Sequence, residues 1–203
     1  MINIPDPQLV LASASPRRRE LLDQVGLRYR VAPAEVDEMM FPGEAATDYV
    51  LRIAAEKARQ AASADTSGLP VLAADTSVVL DGVILGKPGD ALHAADMLRR
   101  LSGRSHEVLT AVVLLLGDGT EFSELGVSRV TFAGLESGWI NAYCATGEPL
   151  DKAGAYAIQG FAAQRISRIE GSYSGVMGLP LFETMQLLKK AGIQVPLNTD
   201  GTG

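Results

Sequence analysis

The chain has 203 residues, 47% hydrophobic and 21% charged, with 24 acidic against 18 basic side chains and a formal net charge of −6. That length suits one large domain or two lobes sharing a sheet, with a core large enough to need no staples, and the lone cysteine, Cys144, excludes an internal disulfide and points to a reducing compartment. The acidic balance argues against binding a nucleic-acid polymer, the longest apolar run, Val108 to Leu116, is far shorter than the roughly 18 residues a membrane helix needs, and without a secretory signal pattern a soluble cytoplasmic protein is expected.

Leu9 to Ala12 is a short apolar run suited to a buried strand. Ser15-Pro16 then opens a helix, serine at the N-cap and proline at the first helical position, which carries Leu21, Leu22 and Val25 and stops at Gly26. A second helix runs roughly from Thr47 to Ala62, with Val50, Ile53, Ala54, Ala58 and Ala61 on one face. Val71 to Leu80 reads as a strand that Asp81-Gly82 turns back into Val83-Ile84-Leu85. A third helix covers about Ala91 to Leu101 and ends at Ser102-Gly103. Val108 to Leu116 and Leu125 to Phe132 make a strand pair joined through Gly117-Asp118-Gly119, and a helix around Glu136 to Tyr143 follows. The chain then passes through an irregular glycine-rich stretch, Gly147 to Gly160, a strand at Ile166 to Ile169, and a last helix from Pro180 to Gly192. Interleaved strands and helices with several hairpins predict an α/β fold, a mixed sheet with flanking helices. One domain over residues 1–195 is expected, followed by a poorly ordered polar tail at 196–203.

Four places break this pattern. In Ser13-Ala14-Ser15-Pro16-Arg17-Arg18-Arg19, hydroxyls and guanidiniums cluster where a strand ends and a helix begins. A helix N-terminus favours an anion, and arginine adds paired donors that fit phosphate oxygens. Asp75 sits inside a strand apolar on both sides, where a carboxylate is costly unless it is paired or bound to a cation. It reads as a catalytic or metal-binding group or as a hydrogen-bonded structural aspartate. Lys57 lies on the apolar stripe of its helix, either reaching a site or snorkelling to solvent, and the Asp81-Gly82 hairpin carries Lys87 back towards Asp75. The fourth break, Glu148 to Gly160, places glycines around polar side chains, as in a loop whose backbone approaches a ligand or in an ordered connection.

His93 and His106 form no metal-spaced pair, and no zinc-protease, phosphate-loop, dinucleotide or serine-elbow motif is present. His106 is expected to serve packing or a local hydrogen bond. An acidic residue with dispersed cations remains, the usual kit for phosphoryl chemistry with a magnesium-type ion.

Taken together these residues resemble the Maf family of nucleoside triphosphate pyrophosphatases, from Leu9 to about Leu188. The resemblance lies in Leu11 to Arg18, Val36-Asp37-Glu38, Glu56-Lys57-Ala58, Ala74-Asp75-Thr76, Gly86-Lys87-Pro88, Ser102 to His106, Glu148 to Gly160, and Gly178-Leu179-Pro180. It implies a two-lobed fold around a cleft, similar to inosine triphosphate pyrophosphatases (Maf/Ham1-like), and hydrolysis of a nucleoside triphosphate to monophosphate and pyrophosphate with a divalent cation. Carried over, Asp75 is the base that activates water, and Glu38 with Asp75 holds the metal. Ser13, Arg17, Lys57 and Lys87 contact the phosphates.

The Glu148 to Gly160 stretch looks like the branch acting on dTTP and UTP, in which Arg17, Thr76 and Gln159 mark specificity. A glutamine amide can meet one acceptor and the donor of the imide edge that uracil and thymine share, and cytosine would leave it partly unpaired. Alternatives within the resemblance are cleavage of 7-methyl-GTP or another non-standard nucleotide, and a nucleotide-binding regulator of septum formation. A nucleoside triphosphate is the expected partner, with no polymer and no membrane; self-association as a homodimer stays open. The chain departs from the family pattern at Gln164-Arg165, where a more apolar stretch is expected.

Overall fold

The structure, a computed structural model, describes residues 6–195, so the tail expected at 196–203 lies outside the described residues. Among the described residues seven strands form one mixed sheet: β1 (Leu9–Leu11), β2 (Tyr29–Val31), β3 (Val71–Leu80), β4 (Val83–Leu85), β5 (Ser105–Leu115), β6 (Glu121–Phe132) and β7 (Ile166–Glu170). The order is β2-β1-β3-β5-β6-β7, with β4 pairing β3 away from that path. β1 runs parallel to β2 and β3, whereas β3–β5, β5–β6 and β6–β7 are antiparallel. Among the described residues six α-helices accompany it: α1 (Pro16–Gln24), α2 (Ala46–Ala64), α3 (Ala91–Leu101), α4 (Ser137–Ala145), α5 (Tyr173–Met177) and α6 (Leu181–Lys190). Among the described residues no helix is long and apolar enough to cross a membrane.

The long central strand β3 organises the interior because its alternate residues face different cores. Leu72 and Ala74 pack with Leu21 and Leu22 of α1 and Leu187 and Leu188 of α6. Val71, Ala73 and Val79 pack with Val50, Ala54, Ala58 and Ala61 of α2. Further along, Val78 and Leu80 join a third core built by Leu98 and Leu101 of α3, Ile140 and Tyr143 of α4, and Phe132. Asp75 and Thr76 fall where the strand leaves the first core and enters the third. The hairpin places Val78 opposite Leu85 and Leu80 opposite Val83, as the Asp81-Gly82 turn predicts.

Several expectations need correction. Ser15 does occupy the N-cap of α1 with Pro16 following, but its side chain makes no capping bond. Instead its backbone N–H donates to Ser13 Oγ at 3.2 Å. β6 begins at Glu121, four residues before the apolar run suggests, because Glu121 to Leu125 alternate outward in a half-solvated strand. The Glu148–Gly160 stretch is not featureless. It contains short 3-10 turns at Glu148–Asp151 and Ala153–Ala155, and a third turn follows at Phe161–Arg165. That third turn accommodates Gln164-Arg165 without an apolar run. Ala162 supplies the buried contact, while the Arg165 guanidinium lies 5.5 Å from the Trp139 ring centroid and 3.2 Å from Glu136.

His106 packs as expected, stacked on Phe132 and bonded through Nε2 to the Tyr156 hydroxyl at 2.8 Å. Its Nδ1 is buried without a hydrogen-bond partner. Burial pushes the imidazole down to about 4. The fold therefore prefers neutral His106, and protons favour the unfolded chain below the ordinary value near 6.5. The stabilisation is full above pH 6.5 and fades down to about pH 4, a loss of about 3 kcal/mol from this residue alone. Urea unfolding of wild type and His106→Gln at pH 7 and pH 4.5 checks this. The gap between the two proteins should narrow at low pH, because the carboxylates titrate in both.

Candidate active site

A cleft of about 690 Å³ opens where the three cores meet, within the range of small-ligand sites. Its floor is Asp75, buried on β3 opposite Ala111 of β5. Lys57 reaches it from α2, where its stem follows the apolar stripe and its ammonium arrives 2.8 Å from Asp75 Oδ1. Both side chains are only about one-tenth exposed, at 12% and 11%. The same ammonium lies 2.5 Å from Glu38 Oε1. Thus the predicted break on the α2 stripe is a reach into the cleft rather than snorkelling.

Glu38 comes from the irregular segment between β2 and α2, and two side chains of α2 tie that segment down. Tyr49 Oη donates to the Glu38 carbonyl at 3.0 Å. Arg52 donates to the Met39 carbonyl at 3.0 Å, forks onto Glu44 at 2.6 and 2.8 Å, and lies 4.0 Å from the Phe41 ring centroid. Partial desolvation pushes the Glu38 carboxyl up, but the hydrogen bond and charge of Lys57, with the charges of Lys87 and Arg18, outweigh it and leave the group below its ordinary value.

Arg18 is one site residue that sequence reasoning missed. It donates through Nε to the Gly178 carbonyl at 2.7 Å, through Nη1 to Ser13 Oγ at 3.0 Å, and through Nη2 to Thr76 Oγ1 at 3.4 Å. Burial lowers its guanidinium from the ordinary value, with Arg17 adding to that and Asp75 and Glu38 opposing it. Thr110 supports the same corner, donating to the Gly175 carbonyl at 2.8 Å and lying 3.1 Å from Thr76 Oγ1. The Arg17-Arg18-Arg19 run was the available signal, but spacing alone does not say which guanidinium turns inward.

All eight residues singled out in the sequence, Ser13, Arg17, Glu38, Lys57, Asp75, Thr76, Lys87 and Gln159, line this one cleft. Ser13 is buried and Thr76 half-buried, while Lys87 and Gln159 are exposed. Asp151 and Lys152 line it as well, paired at 2.5 Å, and had not been singled out. The bridging ammonium shows that Glu38 and Asp75 converge closely enough for one cation to touch both. Two carboxylates with room for phosphate oxygens match the donor set of magnesium-type ions. Among the described residues no third acidic, histidine or cysteine side chain joins them, so the remaining ligands of such an ion would be phosphate oxygens or water.

A cleft with a cation-paired acid at its floor and guanidinium, ammonium and hydroxyl groups along its walls defines a site for a polyanion. The fold is similar to that of a Ham1 protein. It superposes on the structure of the Staphylococcus aureus Ham1 protein with a TM-score of 0.50 and 16% identity, covering 90% of this chain and 96% of that one. At the level of sequence, the pattern described as Maf-like protein matches residues 8–191, and the chain belongs to the Maf family. A protein of Bordetella avium named dTTP/UTP pyrophosphatase is 54% identical over 94% of this chain and 98% of its own length. One of Methylococcus capsulatus with the same name is 55% identical over 93% of each.

The geometry makes Arg18 a keystone between α1, β3 and the turn at Gly178. Arg18→Ala strands the Gly178 carbonyl and removes charge-assisted bonds, so unfolding in urea should show a loss of about 2–3 kcal/mol. An unchanged urea midpoint would show that solvent replaces those bonds.

Proposed function

We propose that this protein hydrolyses dTTP and UTP to their monophosphates and pyrophosphate. The observation that carries the reading is Asp75, held by Lys57 at the floor of a cation-lined cleft, in a chain whose relatives bear the name dTTP/UTP pyrophosphatase. In this reading Asp75 takes a proton from water as the water oxygen bonds to the α-phosphorus. The bond from that phosphorus to the oxygen bridging to the β-phosphorus breaks, and its electron pair leaves with pyrophosphate. Lys57, Lys87 and Arg17 balance the charge that gathers on the departing group. Ser13 Oγ already accepts bonds from Arg18 and from the Ser15 N–H, so its own O–H is left to donate to a phosphate oxygen.

Glu38 and Asp75 would hold a magnesium- or manganese-type ion, which when bound neutralises charge on the triphosphate. Gln159 reads the imide edge of uracil or thymine with its carbonyl and amide together, and Arg17 and Thr76 complete the specificity set. Cytosine leaves the glutamine partly unpaired at about 1–3 kcal/mol, roughly tenfold to a hundredfold in preference. We place the reaction in the cytoplasm, a reducing compartment that suits a chain whose cysteine, Cys144, is a free thiol.

Incubation with dTTP, UTP, CTP, GTP and 7-methyl-GTP, with magnesium or manganese, tests the proposal when all phosphate products are quantified. Pyrophosphate should form from dTTP and UTP, and Asp75→Asn should cut turnover by at least about 100-fold while nucleotide still binds. Near-normal turnover in that variant overturns the role of Asp75. Cleavage of 7-methyl-GTP instead overturns the base assignment, and binding without turnover favours the regulator.

A further inference from the structure

We propose that Glu148 and Tyr143 are positioning residues for base selection, clamping the backbone on both sides of Gln159 so that its amide faces the pyrimidine. The inference rests on the dTTP/UTP reading above. Gln159 stands between two 3-10 turns, outside any strand or helix. Its side chain is exposed on the wall of the cleft and, among the described residues, its amide has no protein partner. The aim of that amide therefore depends on the backbone that carries it.

Two side chains fix that backbone. Glu148 Oε1 accepts from the Phe161 N–H at 3.1 Å, two residues after Gln159. The same oxygen accepts from the Tyr143 hydroxyl at 2.7 Å. The Tyr143 oxygen in turn accepts from the Ala157 N–H at 3.1 Å, two residues before Gln159. Tyr143 is rooted in α4, buried and stacked on Trp139 with ring centroids 4.9 Å apart. Burial, with the bond to Glu148, raises its phenol and keeps it a donor. Gly160 makes the approach possible, because a β-carbon there would fall within the Glu148 carboxylate. With φ −101° the glycine is not needed for its backbone conformation, only for its lack of a side chain. Chemistry on the triphosphate draws on none of these groups.

The experiment compares kcat/KM for dTTP and CTP in the full chain, with thermal unfolding recorded for each variant. Glu148→Ala should lower the dTTP-over-CTP preference about tenfold, mainly through the KM for dTTP, and change CTP turnover far less. Glu148→Gln keeps an oxygen able to accept both bonds and should retain the preference. Gly160→Ala and Tyr143→Phe, which disturb the clamp from its other two corners, should lower it. In a Gln159→Ala background, Glu148→Ala should bring no further loss of preference, since residues acting as one unit are not additive. Equal losses for both nucleotides, or additive effects in the double variant, overturn the clamp. A wild type without any preference for dTTP overturns the dTTP/UTP reading itself, and with it the role given to Gln159. A wild type with the preference, beside a folded Glu148→Ala that keeps it, overturns the clamp alone.

Discussion

The structure turns on the contact between Lys57 and Asp75. A carboxylate on a strand covered from both faces is costly unless a cation lies against it, and α2 delivers that cation along its own apolar stripe. The same ammonium also reaches Glu38, so two carboxylates share one positive charge. This group is one negative charge in excess, which suits it to a further cation arriving with a polyphosphate. Lys57 thus holds the two carboxylates converged.

The alternation of β3 explains why neighbouring residues of one strand serve different ends. Asp75 turns to the face that α2 covers, with Val71, Ala73 and Val79. Thr76 turns to the other face, where Arg18 of α1 and Thr110 of β5 meet it. Along one edge of β3, β1 pairs only as far as Leu72 and β4 only from Val78, and the unpaired stretch between them opens the cleft to groups from both faces. A carboxylate one residue earlier would face the α1 and α6 core, without Lys57.

The periodic parts of this fold were legible in the sequence because periodicity is a statement about burial. The β3–β4 hairpin, the stripe of α2 and the Ala91 to Leu101 run of α3 all stand close to where spacing puts them. The elements that escaped are short and polar. β2 is Tyr29-Arg30-Val31 at a sheet edge, and α5 is five residues, little more than one turn, exposed or half-buried except at Gly175. Asp75 was legible as a violation of its surroundings, whereas Glu38 was not, since an irregular segment has no pattern to violate; the role proposed for it followed from family resemblance alone. Arg17 and Arg18 show a third limit. Consecutive helical residues point about 100° apart, as 3.6 residues per turn dictate, and only the turn at Gly178, far along the chain, decides which is drawn inward.

The two tasks assigned to the cleft rest on supports of different kinds. Asp75 and Lys57 stand on a central strand and a long helix, held by sheet hydrogen bonds and apolar packing, so a change at the chemistry disturbs the core. Gln159 stands on a connection whose order comes from individual side chains. Such a connection can change its aim without unpacking the sheet, and loops on rigid scaffolds are where recognition varies. The phosphate chemistry proposed for the core and the base choice proposed for the tethered loop are therefore separable in energy, although they share one cavity.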